Sequence, residues 1–125
     1  MKKILVIDDN STCRKQICEL PIEDCFEVVE TTNGKDGVRL AKECHPDVIL
    51  CDLEIPNGKG FEVLTRLQDD GETAEIPAIV YTGTADESLM QEVQRLGASA
   101  FLPKPFKIRD LMQAITLELW HLGTD

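Results

Sequence analysis

The chain has 125 residues, which is enough for one domain with a single core and too short for two. Its formal net charge of −10 argues against a surface for nucleic acid or anionic membrane, because either ligand needs clustered Lys and Arg. No apolar run approaches the length of a transmembrane helix, and the short apolar start ends on two aspartates. Neither membrane insertion nor a signal peptide is therefore predicted.

The five cysteines are odd in number and form no Cys-x-x-Cys pair, so they fit neither a disulfide framework nor a zinc site. Cys13, Cys44 and Cys51 fall at positions predicted to face the core, where a free cysteine behaves as a small hydrophobic residue. Unpaired thiols are typical of a reducing compartment, so we expect a cytoplasmic protein.

The first predicted strand covers residues 3–7, an apolar run that ends on Asp8 and Asp9. Helix-capping side chains follow at residues 10–12, and Pro21 is expected to end or bend the helix that they begin. The apolar positions of this helix are Cys13, Ile17 and Leu20. Residues 26–30 are predicted to form the second strand.

A turn is predicted at Asn33-Gly34, and a second helix follows it. The core-facing positions of that helix are Gly37, Leu40, Ala41 and Cys44. The third strand, Val48–Asp52, has four apolar residues in succession, which is typical of a strand buried on both faces in a parallel sheet. It ends on Asp52, and residues 53–60 have the composition of a loop.

Apolar spacing predicts a third helix over residues 61–67, closed by Asp69-Asp70-Gly71 and followed by a polar loop at residues 72–75. The fourth strand is predicted at residues 76–81, directly before Thr82.

A fourth helix is predicted from the spacing of Leu89, Val93 and Leu96, with Gly97 as its C-terminal cap. A very short fifth strand at residues 100–102 precedes Pro103-Lys104-Pro105. The core-facing positions of the fifth and last helix are Ile108, Leu111, Ile115, Leu119 and Leu122.

Strand and helix thus alternate five times, which predicts an α/β fold with a doubly wound five-stranded parallel sheet and right-handed crossovers. The carboxyl ends of parallel strands lie along one edge of such a sheet, where α/β proteins bind their ligands. The polar residues expected to meet at that edge are Asp8, Asp9, Asp52, Thr82 and Lys104.

Three carboxylates brought together repel one another unless a cation joins them, and hard oxygen ligands suit Mg²⁺. Lys104 adds a second positive charge that can hold an anion beside the metal. A carboxylate flanked by a divalent cation, a lysine and a hydroxyl is suited to be the nucleophile of a phosphoryl transfer. A carboxylate at this edge is therefore a candidate acceptor of a phosphoryl group.

Five short motifs occur in one order along the chain. They are Ile7-Asp8-Asp9-Asn10, Asp47-Val48-Ile49-Leu50-Cys51-Asp52, Ile55-Pro56-x-x-x-Gly60, Tyr81-Thr82-Gly83 and Phe101-Leu102-Pro103-Lys104-Pro105-Phe106. The chain resembles the receiver domain of two-component response regulators, of the chemotaxis-regulator type, in these motifs and in their order and spacing. The resemblance implies a flavodoxin-like (βα)5 receiver fold, with residues 1–125 as one receiver domain. It also implies a phosphorylation-operated switch in a two-component phosphorelay.

The resemblance assigns roles at the acidic end of the sheet. Asp52 would be the phosphoacceptor, taking its phosphoryl group from a sensor histidine kinase or a histidine phosphotransfer protein. Asp9 and Asp52 would ligate Mg²⁺ directly, together with the backbone carbonyl of Glu54, while Asp8 would act mainly through water. Glu54 also stands at a variable position that is thought to tune dephosphorylation, and its acid would add negative charge beside the metal.

Further roles are implied for the remaining motif residues. Lys104 would bind the phosphoryl group, with a cis peptide bond to Pro105. Thr82 would move to hydrogen-bond a phosphoryl oxygen, and Phe101 would turn inward as the switch aromatic. These movements would change the surface of the fourth helix, the fifth strand and the fifth helix. That face carries exposed apolar residues, so it is the expected surface for a homodimer or a target; they are Met90, Leu117 and Trp120.

Other functions fit the sequence less well. A phosphatase with an aspartyl-phosphate intermediate is expected to show Asp-x-Asp at the nucleophile, whereas this chain has Asp52-Leu53-Glu54. A phosphate-independent interaction module on the same fold usually lacks an acid or the lysine. A nucleotide-binding flavodoxin-like domain needs a Gly-rich loop after the first strand, which is absent from this sequence. The expected protein is thus a switch that catalyses only its own phosphorylation and dephosphorylation.

Overall fold

A five-stranded parallel sheet forms the centre of the molecule, with the strand order β2-β1-β3-β4-β5. The computed structural model describes residues 2–10, 15, 17, 26–55, 59–83 and 86–121, without the side chains of residues 26, 59, 120 and 121. The strands are β1 (Lys2–Ile7), β2 (Phe26–Thr31), β3 (Val48–Asp52), β4 (Ala78–Thr82) and β5 (Ala100–Pro103). The helices within the described ranges are α1 (Gly34–Cys44), α2 (Lys59–Asp69), α3 (Glu87–Arg95) and α4 (Ile108–His121). Of the helices described, none combines the length and the apolar character needed to cross a membrane.

The pairing of β1 with both β2 and β3 sets the register at the centre of the sheet. Ile7 lies opposite Thr31 on one side and opposite Cys51 on the other. β3 pairs in turn with β4, and Asp52 lies opposite Tyr81. All of these pairs are parallel, so the carboxyl ends of β1, β3 and β4 reach the same edge of the sheet.

Hydrophobic clusters cover both faces of the sheet. Ile49 and Cys51 of β3 enter the cluster that packs against α1, α2 and α3, while Val48 and Leu50 enter the cluster that contains Ile17 and α4. All five residues of β3 are buried, which explains why its sequence is a continuous apolar run instead of an alternating one. Complete burial of a Val, Leu or Ile side chain contributes about 1.5–3 kcal/mol.

The predicted fold, a doubly wound five-stranded parallel sheet with helices, is confirmed, and β3 has its predicted bounds. The first predicted helix falls largely outside the described residues, which give Lys15 and Ile17 as helical and Ile17 as buried. Cys13, Leu20 and Pro21 lie outside them.

The turn predicted at Asn33-Gly34 forms the start of α1: Asn33 is the N-cap of this helix, and Gly34 is its first residue. The backbone of Asn33 is extended, with φ −139° and ψ 157°, and its side chain accepts a hydrogen bond from the amide of Asp36 at 2.9 Å. Asn is favoured both in turns and at helix N-caps. The dipeptide alone therefore did not distinguish the two.

The fourth strand begins at Ala78, two residues later than predicted. The amide of Ile76 donates to the carbonyl of Thr73 at 3.0 Å in a turn, and the following residue, Pro77, has no amide proton to give to a ladder. Thr73 itself is buried within the predicted polar loop, where its hydroxyl donates to the carbonyl of Leu67 at 2.7 Å.

Ile108 and Cys44, which were both predicted to face the core, are more exposed than expected. Ile108 is 37% exposed, because it begins α4 one turn before Leu111, the first buried residue of that helix. Cys44 ends α1 and is half-buried, whereas Cys51 is fully buried. Ile115 and Leu119 are buried as predicted, and Leu122 lies outside the described residues.

The close approach of α1 to β1 generates a stability prediction. An ideal Cβ at Gly37 would lie 2.5 Å from Cδ1 and 2.8 Å from Cγ1 of Ile7, which is fully buried and has no room to move. We expect Gly37→Ala to lower the free energy of unfolding by about 1–3 kcal/mol, because overpacking outweighs the gain in helix propensity.

Urea denaturation of the two proteins measures this change, with Gly71→Ala as the matched control. Nothing lies within 4 Å of a Cβ at Gly71, so that variant is expected to stay within about 0.5 kcal/mol of the wild type. A Gly37→Ala protein as stable as Gly71→Ala would contradict the close packing of α1 on β1.

Candidate functional site

Three carboxylates meet at the carboxyl ends of β1 and β3. Asp8 and Asp9 follow β1, and Asp52 ends β3. The parallel register places Ile7 beside Cys51, so the acids that follow these residues emerge side by side. One carboxylate oxygen from each acid lies within 4.8 Å of the others, with Asp8 and Asp52 buried and Asp9 exposed. The sequence therefore predicted this cluster correctly.

Polar partners enclose the Asp52 carboxylate. It is only 2% exposed; its Oδ1 accepts a hydrogen bond from the amide of Glu54 at 2.8 Å, and its Oδ2 contacts Lys104 Nζ at 3.0 Å. Burial raises the pKa of Asp52 above its ordinary value, and the nearby charge of Asp8 acts in the same direction. The Glu54 amide and the Lys104 ammonium oppose this rise. The ionised carboxylate is thus held in place at a cost in free energy.

Asp8 is fixed by groups from two parts of the chain. Its Oδ2 accepts a hydrogen bond from the hydroxyl of Tyr81 at 2.6 Å, and its Oδ1 accepts one from the amide of Asn10 at 2.8 Å. The Tyr81 ring also lies beneath Lys104, with Nζ 5.1 Å from the ring centroid, and forms a T-shaped pair with the ring of Phe106. The contribution of Tyr81 was missed in the sequence, where its place in an apolar strand indicated only a core residue.

Lys104 reaches the site from the loop after β5. Its amide donates to the carbonyl of Thr82 at 2.8 Å, which extends the pairing of β4 with β5 beyond the strand end. The Lys104–Pro105 peptide bond is cis, as predicted. The lysine is thereby aimed at Asp52, 52 residues earlier in the chain.

Glu54 contacts the end of β4 instead of joining the acidic cluster. Its Oε1 accepts a hydrogen bond from the amide of Gly83, and the hydroxyl of Thr82 also donates to the carboxylate. The hydrogen bond from Gly83 is the main cause that lowers the pKa of Glu54; that from Thr82 and the charge of Lys104 add to the effect. Within the described residues, the carboxylates close enough to share one cation are therefore Asp8, Asp9 and Asp52.

The donor set of this cluster fits Mg²⁺. Carboxylate oxygens are hard ligands, and an exposed acid such as Asp9 beside two buried ones leaves room for bound water. A divalent cation would also offset the mutual repulsion of the three charges.

Thr82 and Phe101 are the two residues predicted to form the switch. Thr82 is buried at the end of β4, next to the site. Phe101 pairs with Val80 in the sheet register and packs, half-buried, against the cluster that includes Val93. The structure therefore brings Thr82 to the acidic end of the sheet and leaves Phe101 outside the charged cluster.

Comparisons with known proteins agree on one family. The family model that describes the response regulator receiver domain matches residues 4–116 of this chain. The polar-differentiation response regulator DivK of Brucella ovis is 31% identical over 114 residues, which is 91% of this chain and 93% of the relative.

Solved structures give the same result. The chemotaxis response regulator CheY4 of Vibrio cholerae superposes with a TM-score of 0.86 at 25% identity, over 95% of this chain and 99% of that one. A CheY-like receiver domain protein of Methanospirillum hungatei superposes with a TM-score of 0.88 at 23% identity, over 98% and 97% of the two chains, and it supports the fold alone.

The raised pKa of Asp52 predicts a pH-dependent change in stability. Below the pKa of an unfolded aspartate, about 3.9, Asp52 is protonated in both the folded and the unfolded state, so no stability is lost to a buried charge. Between that pH and the higher folded-state pKa, the unfolded state releases the proton while the folded state keeps it on the buried acid, so the folded protein loses stability as the pH rises. In metal-free protein at pH 7 we expect Asp52→Asn to raise the free energy of unfolding by on the order of 1 kcal/mol.

Urea denaturation in the presence of a chelator, at pH 7 and again near pH 3.5, checks this prediction. Asp69→Asn changes an exposed acid at the end of α2 and is the matched control, expected to be neutral. A gain in the free energy of unfolding that is the same at both pH values, or a loss at pH 7, would contradict the conclusion that the ionised Asp52 carboxylate destabilises the folded state.

Proposed function

This chain belongs to the family of response regulator receiver domains, which are phosphorylation-dependent switches of two-component signalling, and we propose that its phosphoacceptor is Asp52. The observation that carries the proposal is the surroundings of this carboxylate. It is 2% exposed, contacts an ammonium at 3.0 Å and shares a 4.8 Å cluster with two further acids. Receiver domains take their phosphoryl group from histidine kinases or phosphotransfer proteins, and we propose such a donor for this chain.

In the proposed transfer, an oxygen of the Asp52 carboxylate attacks the phosphorus of a phosphohistidine. The new O–P bond forms as the N–P bond breaks, and the imidazole nitrogen leaves with that electron pair. Lys104 is positioned to neutralise a phosphoryl oxygen, since its Nζ already contacts Asp52 Oδ2. The amide of Glu54 keeps the carboxylate in one orientation.

We propose that Asp9, Asp52 and the backbone carbonyl of Glu54 hold Mg²⁺ directly, and that Asp8 holds it through water. When bound, the ion supplies positive charge against the phosphoryl oxygens. The hydrogen bonds from Tyr81 and from the amide of Asn10 keep Asp8 oriented toward that position.

The proposed output is a change of surface. Thr82 would move to a phosphoryl oxygen, and Phe101 would fill the space that it leaves, because a buried aromatic ring packs against protein better than against solvent. The surface formed by α3, β5 and α4 would then repack as the binding face for a target or a second copy. Met90 and Leu117, which are 46% and 63% exposed, lie on α3 and α4 and support this location. The side chain of Trp120, also predicted on this face, lies outside the described residues.

We propose that residues 1–125 act as one receiver domain without a separate substrate, nucleic-acid contact or membrane insertion. One continuous sheet and a family match over residues 4–116 support the single domain. The presence of all three acids and the lysine favours a phosphorylated switch over a phosphate-independent module or an aspartyl-phosphate phosphatase. The free thiols of Cys44 and Cys51 are consistent with the proposed cytoplasmic location.

Phosphorylation is tested with a small donor such as acetyl phosphate and Mg²⁺. We expect the intact mass of the wild type to increase by one acid-labile phosphoryl group, and that of Asp52→Asn to stay unchanged, because the amide is a poor nucleophile. Asp69→Asn is the control and should be labelled like the wild type. Equal labelling of the wild type and Asp52→Asn would exclude Asp52 as the acceptor.

The coupling of site to surface is tested by NMR with beryllofluoride and Mg²⁺, which stand in for the phosphoryl group. We expect amide shifts at residues 86–120, and we expect Thr82→Ala to reduce them while leaving metal binding intact. Thr65→Ala, on the exposed side of α2, is the matched control. Shifts confined to the loops around Asp8, Asp52 and Lys104 would rule out this coupling.

A further inference from the structure

The side chain of Glu54 leaves the Asp52 loop and crosses to the end of the neighbouring strand. Its carboxylate accepts hydrogen bonds from two groups there, the amide of Gly83 and the hydroxyl of Thr82. The charge of Lys104 also favours the ionised form of Glu54. An anion that belongs to the chain therefore occupies two donors at the edge of the phosphorylation site.

The backbone explains why Glu54 reaches these donors. The amide of Leu53 donates to the carbonyl of Tyr81 at 3.0 Å, so the β3–β4 pairing continues one step past the end of β3. This step places Glu54 beside the residues that follow Tyr81. The amide of Glu54 meanwhile donates to Asp52 Oδ1. One residue thus binds the predicted phosphoacceptor through its backbone and the predicted switch threonine through its side chain.

Residue 83 leaves room for this contact because it is glycine. An ideal Cβ at Gly83 would lie 3.2 Å from Glu54 Oε1, which is tighter than ordinary van der Waals contact. A larger residue at position 83 would push the Glu54 carboxylate away from the Gly83 amide. The absence of a side chain at Gly83 therefore admits the Glu54 carboxylate.

A phosphoryl group on Asp52 needs the same donors. It brings oxygens that accept strong hydrogen bonds, and Lys104 is one donor for them. The hydroxyl of Thr82 and the amide of Gly83 stand at the end of the adjacent strand. Both are already hydrogen-bonded to Glu54.

We propose that Glu54 is a positioning residue that holds Thr82 and Gly83 in the unphosphorylated state and must release them to the phosphoryl group. The inference rests on the proposed phosphorylation of Asp52. Thr82 then exchanges the Glu54 carboxylate for the phosphoryl group. The free energy gained on phosphorylation is therefore only the difference between the two sets of hydrogen bonds. Because Glu54 is exposed, its carboxylate is rehydrated when it is displaced. Glu54 therefore biases the domain toward the inactive state and weakens the binding of the phosphoryl group by Thr82 and Gly83.

The experiment compares beryllofluoride binding and the amide shift of Gly83 in the wild type, Glu54→Ala and Glu54→Gln, at fixed Mg²⁺. Glu75→Ala removes the same charge from an exposed loop before β4 and is the matched control. Without beryllofluoride, we expect the Gly83 amide to move upfield in Glu54→Ala, and less so in Glu54→Gln, whose neutral amide oxygen remains an acceptor. With beryllofluoride, the Gly83 shifts of wild type and Glu54→Ala should converge, because the partner is then the bound anion.

Affinity gives the second readout. Loss of the competing carboxylate should tighten beryllofluoride binding about threefold to tenfold in Glu54→Ala, by a smaller factor in Glu54→Gln, and not in Glu75→Ala. If Glu54→Ala binds beryllofluoride more tightly while its Gly83 amide shift is unchanged in the free protein, the removed charge acts at a distance. The proposed exchange of anions at Thr82 and Gly83 is then overturned. Unchanged affinity in Glu54→Ala overturns it as well. If the wild type itself binds no beryllofluoride, the proposed phosphorylation of Asp52 fails, and the exchange fails with it.

Discussion

The carboxylate of Asp52 stands at the end of a strand that is buried on both faces, with only 2% of the residue left exposed. An ionised carboxylate in such a position is costly unless hydrogen bonds and opposite charge replace water. The Lys104 ammonium at 3.0 Å and the Glu54 amide at 2.8 Å provide part of this replacement, while Asp8 acts against it. The site is therefore left with an excess of negative charge, which is the property that favours a bound cation.

The parallel sheet is what assembles these charges. The hydroxyl of Tyr81 and the carboxylate of Asp8 are 73 residues apart in the chain, and Lys104 and Asp52 are 52 apart. Each pair meets across one intervening strand, because all the parallel strands of the sheet end at the same edge. The loop after β3 adds Glu54, which links Asp52 to Gly83. The loop after β3 thus connects Asp52 with hydrogen-bond donors at the end of β4.

Much of this arrangement was readable from the sequence, for a physical reason. A strand buried on both faces must be apolar throughout, so Val48–Asp52 was located with its observed bounds, and parallel topology then implied that Asp8, Asp52 and Lys104 meet. Contacts that depend on side-chain direction were not readable. An apolar strand gives no sign that Tyr81 turns its hydroxyl toward Asp8, nor does loop composition show that Glu54 reaches Gly83.

The chemical identity of the phosphorylated residue is the most direct test of this account. Borohydride reduces an aspartyl phosphate to homoserine with loss of phosphate, so peptide mass mapping after phosphorylation and reduction marks the acceptor. The account predicts homoserine at position 52, with Asp8 and Asp9 unchanged. Homoserine at Asp8 or Asp9, or its absence from a protein that has gained a phosphoryl group, would contradict it.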